Sequence, residues 1–137
     1  MGILLGFDYG TRKIGVAVGQ TITGTASTLE TLLPVKNQPD WHRISQLIDE
    51  WKPEALIVGL PLNLDDSATD ATQGALRFSR QLEGRYHLRV YLADERFTST
   101  EARNRLGPKK KALEVYDAMA AKLIVETWLS EHSLEAH

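Results

Sequence analysis

Residues 3–19 read Ile-Leu-Leu-Gly-Phe-Asp-Tyr-Gly-Thr-Arg-Lys-Ile-Gly-Val-Ala-Val-Gly, and few folds accept such a stretch. Ile3 to Phe7 is a continuous apolar run, the mark of a central strand covered on both faces. It ends in Asp8, and Tyr9-Gly10-Thr11 turns the chain. From Lys13 to Gly19, bulky Ile14, Val16 and Val18 alternate with Gly15, Ala17 and Gly19. Alternation with a period of two specifies a second strand, hairpin-paired with the first. One of its faces is bulky and the other nearly bare. A bare face lets a helix or another backbone come close.

The remaining segments read as follows. Ile22 to Leu33 mixes Thr and Leu in a strand-like manner and predicts a third strand. Pro39-Asp40 opens a helix that runs to about Trp51. Asp40 is its N-cap, Trp41, Ile44, Leu47, Ile48 and Trp51 keep helical spacing, and Pro53 stops it. Ala55 to Leu60 predicts a second fully buried strand, and Pro61 to Asp66 a loop at its C-terminal end. A helix over about Asp70 to Glu83 and a strand over Leu88 to Ala93 follow, closed by Asp94-Glu95-Arg96. Thr98-Ser99-Thr100-Glu101 has the form of a capping box for a short helix, ended by Gly107-Pro108. A last helix spans about Leu113 to Ser130. This order predicts an α/β fold with a mixed five-stranded sheet, three antiparallel strands and then parallel ones, and helices on both faces. With 137 residues and no repeat or linker, a single domain over 1–137 is expected.

Composition narrows the chemistry. The chain has no cysteine, which excludes disulfides, thiolate zinc sites, iron–sulfur clusters and a cysteine nucleophile. No apolar run approaches the ~18 residues of a membrane span. The start reaches an acid without a basic leader, so a signal peptide is not expected there. A soluble, cytoplasmic protein is expected. The net charge of −2 hides an asymmetry. Six basic residues (Arg96, Arg103, Arg105, Lys109, Lys110, Lys111) stand against the single acid Glu101 between positions 96 and 111. After them Lys122 faces Glu114, Asp117, Glu126, Glu131 and Glu135. A basic patch beside acids fits a site that takes phosphates and metal together. A solvated loop beside a helix is the plainer alternative.

The last helix gives the sharpest clue. At about 100° per residue, Leu113, Ala120, Ala121, Ile124 and Trp128 lie within roughly 60° of Asp117, with Lys122 and Glu126 opposite. Asp117 is thus expected on the core-facing stripe, where a carboxylate is costly without a partner. Asp8 closes a buried strand, and Asp94 and Glu95 close another. Successive strand residues point to opposite faces, so at most one of those two can face Asp8, and parity alone leaves both open. Carboxylates at strand C-termini and on an inner helix face lie where sites form in open α/β sheets. Hard oxygen donors suit Mg²⁺ or Mn²⁺. None of His42, His87, His132 and His137 falls in a ligand cluster. A metal-activated water is therefore expected, with two ions clamping an in-line phosphoryl displacement. Trp41, Trp51 and Trp128 are expected in the core, and Tyr9 is expected to pack rather than to stack on a base.

Four blocks carry a family resemblance: Phe-Asp-Tyr-Gly-Thr-Arg-Lys-Ile-Gly-Val-Ala-Val, Ile-Val-Gly-Leu-Pro-Leu-Asn, Asp-Glu-Arg-Phe-Thr-Ser-Thr-Glu-Ala and Asp-Ala-Met-Ala-Ala. In this order, over nearly the whole chain, they resemble the YqgF/RuvX family. These are bacterial RNase H-like proteins described as nucleases for the 5′ end of precursor 16S rRNA and as Holliday junction resolvases. The resemblance implies an RNase H-like fold and a hydrolase of nucleic-acid phosphodiester bonds. It maps an acidic triad, catalytic and metal-binding, onto Asp8, Glu95 and Asp117, and leaves Asp94 as a flanking residue. Arg12, Lys13, Arg96, Lys109, Lys110 and Lys111 are the expected nucleic-acid contacts, and Asn63 a candidate groove residue. The expected substrate is structured RNA on ribosomal particles, with a four-way DNA junction as the alternative. The chain is expected as a monomer or a homodimer, and the junction reading requires the two-fold dimer. Two other classes compete. A non-catalytic nucleic-acid-binding module would have no use for three acids facing phosphates. An actin-like or sugar-kinase-like ATP module would need a second half that 137 residues do not supply.

Overall fold

A computed structural model of the chain describes residues 2–10, 12–60, 70–94 and 113–133. In chain order the elements are β1 (Ile3–Tyr9), β2 (Ile14–Gln20), β3 (Thr25–Leu32), α1 (Trp41–Trp51), β4 (Ala55–Leu60), α2 (Asp70–Tyr86), β5 (Arg89–Asp94) and α3 (Leu113–Ser133). The five strands form one sheet in the order β3-β2-β1-β4-β5. β1 pairs antiparallel with β2, and β2 with β3. β1 pairs parallel with β4, and β4 with β5. The mixed sheet expected from the sequence is present, with the apolar run of β1 at its centre.

Each strand divides its side chains between two cores. On one face Leu5, Phe7, Val16, Leu56 and Val58 pack against Ile44 and Leu47 of α1 and Phe78 and Leu82 of α2. Phe78 is the hub. Its ring lies 5.5 Å from that of Phe7, 5.3 Å from Tyr9 and 5.7 Å from Trp41. On the other face Leu4, Ala17, Ala55 and Ile57 pack against Ala121, Ile124, Val125 and Leu129 of α3. Trp128 adds a ring contact with Tyr91 at 4.8 Å. The tryptophans do pack on the cores, each partly buried.

The bare face of β2 has the partner it needs. A methyl group at Gly6 would overlap Cγ2 of Val125, and one at Gly19 would overlap Cγ1 of the same valine. Val125 is thus seated between two glycines on neighbouring strands. A β-branched side chain has little rotamer freedom in a helix, so it cannot swing aside. These glycines set how near α3 lies to the sheet.

Element boundaries follow local chemistry. Asp40 caps α1, accepting from the backbone N–H of Arg43 at 3.1 Å. Lys52 ends that helix in the left-handed conformation at φ 47, just before Pro53. The third strand begins at Thr25, three residues later than the sequence suggests. Residues 21–24 form the hairpin turn instead, closed by the Gly24 N–H on the Gln20 carbonyl at 2.9 Å with Gly24 at φ 66. Ile22 is left 70% exposed at its tip. α2 runs past Glu83 to Tyr86, and His87 closes it at φ 55. α3 is buried more widely than one stripe. Leu123 and Val125 are buried along with Ala120, Ala121 and Ile124. Lys122 and Glu126, expected on the solvent side, are half-buried and face each other at 3.9 Å. The loop expected at 61–66 and the short helix between Thr98 and Gly107 lie outside the described residues.

Candidate active site

Asp8 sits one residue before the end of the central strand. Its lateral neighbours are both glycine: Gly15 on β2 and Gly59 on β4. Extended across the sheet, the row reads Thr31, Gly15, Asp8, Gly59, Ala93. A carboxylate is therefore flanked by two positions without side chains. Side chains two apart share a face, so Asp8 belongs with Leu4 and Gly6 to the face covered by α3. It is half-buried there. Tyr9 takes the opposite face. It packs on the Phe78 ring, and a methyl group at Gly74 would come within 2.8 Å of it. The expectation that Tyr9 packs is met.

α3 runs antiparallel to β1. Gly6 meets Val125 and the Ala121 carbonyl, while Gly19, in the row of Leu4, meets Val125 and Leu129. From that contact Asp8 is two strand residues further on, about 7 Å. Asp117 is four residues before Ala121 and eight before Val125, about 6 and 12 Å in the same direction. Asp117 lies within α3 as expected.

At the next strand, Ala93 pairs with Gly59 and Asp94 with Leu60. Tyr91 and Ala93 pack with the α3 core, whereas Val90 packs with the α1–α2 core. Asp94 has the sequence parity of Val90. Glu95, Arg96, Lys109, Lys110, Lys111 and Asn63 lie outside the described residues. Among the described residues no group of three or more His, Asp and Glu comes together as a metal site. Two of the three expected ligand groups, Glu95 and the Asp117 side chain, fall outside that set.

The β1–β2 turn carries the first basic pair. A methyl group at Gly10 would lie 2.8 Å from the Lys13 carbonyl oxygen, so the tight turn needs a glycine. Arg12 is exposed and Lys13 half-buried. Both line a cleft that also includes Tyr9, Asn37 and Asp40. Asn37 was not singled out in the sequence. It and Lys36 adopt left-handed conformations (φ 63 and 52) in a two-residue turn closed by the Val35–Gln38 bridge. Their signal was Lys-Asn between residues of a short extended pair, a weak one. The glycine flanks of Asp8 were also passed over, although Gly59 stands out inside the run Ile-Val-Gly-Leu.

Comparison with known proteins gives a consistent picture. The profile of the RuvX family, described as a Holliday junction resolvase, matches residues 2–131. A curated relative from Nitrosococcus oceani, named "Putative pre-16S rRNA nuclease", is 49% identical over 138 aligned residues, covering 98% of this chain and 91% of its own length. A relative of the same name from Azotobacter vinelandii is 48% identical, covering 94% of each chain. Among solved structures, a fowlpox virus Holliday junction resolvase superposes with a TM-score of 0.58 at 12% identity, covering 94% of this chain and 98% of that one. T. thermophilus RuvC in complex with a Holliday junction substrate gives 0.54 at 17% identity, covering 90% and 92%. At such identities the structures speak to the fold, which is the RNase H-like one.

Proposed function

Because this chain belongs to the RuvX family, we propose that it is a metal-dependent nuclease acting in 5′-end processing of precursor 16S rRNA. The names of relatives near half identity over nearly the full length support the substrate. The observation that carries the chemistry is Asp8, half-buried at the end of the central strand and flanked by Gly15 and Gly59. Bare neighbours leave room for an ion that keeps part of its water shell.

In this reading Asp8, Glu95 and Asp117 hold Mg²⁺ or Mn²⁺, as a pair of ions. When bound, such ions supply an activated water and neutralise charge on the transferring phosphoryl group. Three features support this set. Asp8 lies on the α3 face; Asp117 lies on α3 eight residues before Val125, in the direction of Asp8's end of β1; and Glu95 is the next residue in sequence after Ala93 with the parity of Asp8. Asp94 has the other parity and serves as a flanking residue. Arg12, Lys13, Arg96, Lys109, Lys110 and Lys111 hold the phosphate backbone, and Arg12 and Lys13 line the cleft next to Asp8's own strand end. The neutral amides of the triad should abolish cleavage and leave the fold intact. A cytoplasmic location goes with such a substrate. No helix among the described residues is long and apolar enough to cross a membrane.

A second reading, resolution of four-way DNA junctions, is favoured by the description of the matching family. It needs a two-fold dimer that offers two sites to two strands. The test is cleavage of a panel with Mg²⁺ and with Mn²⁺: single-stranded RNA, precursor 16S ends on ribosomal particles, and four-way junctions. Cleavage of the precursor ends is expected. Cleavage of junctions alone, by a dimer, would replace the first reading with the second. Binding without cleavage of any of them would leave a non-catalytic module.

A further inference from the structure

We infer that the exposed side of α2 and the start of β5 form a second anion-binding track, which holds the phosphodiester backbone of the substrate away from the cleaved bond. The inference rests on the reading above that the ligand is a nucleic acid. Residues 77–89 contain four arginines and a single acid, Glu83, in a chain whose net charge is −2. Two of them lie against rings of the protein: the Arg85 guanidinium 4.0 Å from the Trp41 ring centroid, and that of Arg89 at the longer distance of 5.7 Å from Tyr91. Arg77, Arg80 and Arg89 are exposed and join no ion pair among the described residues. Like charges this close repel, and the one acid among them in sequence, Glu83, forms no ion pair with them among the described residues.

The arginines are also arranged. At 100° per residue, Gln73, Arg77, Arg80 and Gly84 fall within roughly 60° of one another. They lie opposite the buried stripe of Ala75, Phe78 and Leu82. The stripe leads into a groove walled by Arg80, Glu83 and Gly84 on one side and His87 to Val90, including Arg89, on the other. Its volume is about 720 Å³, and it opens to solvent rather than closing into a cavity. Gly84 forms its bare edge, for a methyl group there would meet nothing within 4 Å. A glycine in a helix disfavours that helix, and here no close packing requires it. The gap admits a polymer backbone close to the helix. Arginine suits phosphate oxygens through paired N–H donors.

The groove lies at the end of the sheet opposite Asp8. Arg89 begins β5 and Asp94 ends it, a span of about 17 Å. At 3.4 Å per base step that is about five base pairs of a duplex arm. The track would grip an arm flanking the cleavage point.

The test is the salt dependence of binding by the full chain, read by fluorescence anisotropy without divalent metal. The probes are a 20-base-pair RNA hairpin with a 5′ single-stranded extension and a four-way DNA junction. In the Arg77→Ala/Arg80→Ala/Arg89→Ala variant the slope of log K against log[salt] should flatten by roughly 0.9 per lost contact. The corresponding lysine variant should recover most of that slope. Gly84→Glu places its side chain in open space, so it should fold, and it should weaken binding at every salt concentration. Flattening on the hairpin alone assigns the track to RNA, and flattening on the junction alone to DNA. Unchanged slope and affinity for both probes in the alanine and Gly84→Glu variants would overturn the inference, as would failure of the wild type to bind either probe. Adding Mg²⁺ to the same probes reports separately on the nuclease reading. Flattening with no cleavage keeps the track and counts against the nuclease. Cleavage with an unchanged slope keeps the nuclease and removes the track.

Discussion

The two faces of the sheet are built on opposite principles. The α1–α2 face is filled by large side chains, with Phe7, Tyr9 and Trp41 gathered around Phe78. The α3 face is made thin by Gly6, Ala17 and Gly19, and Val125 lies directly against them. Bulk stabilises by area removed from water and tolerates small adjustments. A thin interface fixes distance instead, because backbone and a stiff valine cannot yield. Asp8 lies on the thin face, where the position of a helix relative to a strand decides whether side chains from the two can share an ion.

The comparison can be attacked from either side. The largest effect should come from Asp8→Asn on the thin face. Cleavage should fall at least ~1,000-fold, about 4 kcal/mol of barrier, with an unchanged urea midpoint. Asp94→Asn should keep cleavage within a few-fold of wild type. The reverse pattern would exchange the roles of the two acids and break the parity argument. On the bulky face, Phe78→Ala should cost about 3–5 kcal/mol in urea unfolding, with the single-turnover cleavage rate per folded molecule preserved. Gly6→Ala should cost less, about 1–3 kcal/mol from overpacking, yet should also lower cleavage. Adding Val125→Ala should recover part of both losses, a coupling that a double-mutant cycle measures. If Gly6→Ala leaves cleavage untouched, the spacing of α3 does not govern the site. The smallest effect should be Asp40→Ala, about 1 kcal/mol in urea unfolding for a lost helix cap.

Much of this was legible in the chain. Strong periodicities gave the elements: β4 falls on Ala55–Leu60 as read, and α1 on Trp41–Trp51 behind its Asp40 cap. The bare face of β2 permitted a close partner, and α3 takes that place. The proposed site was legible as a set of acids, and the choice between Asp94 and Glu95 came only with the family resemblance. Parity needs a register, and a register needs the neighbouring strand. The described register ends at the pair Leu60–Asp94, one residue short of Glu95. Some boundaries were misread where local conformations overrode pattern. Gly24 at φ 66 turns the hairpin and delays β3. Gly84 inside α2 does not end the helix, because His87 takes the left-handed position instead. The width of burial on α3 was also unreadable, since a helix that is apolar on most sides has no single stripe to find.

The seating of Val125 between Gly6 and Gly19 has one more consequence. It joins the first strand to the last helix across almost the entire described chain. So long a loop is entropically unfavourable to close until the sheet between has formed. α3 should therefore dock late during folding. A half-folded copy would hold much of the hydrophobic interior and still lack the docked helix that carries Asp117.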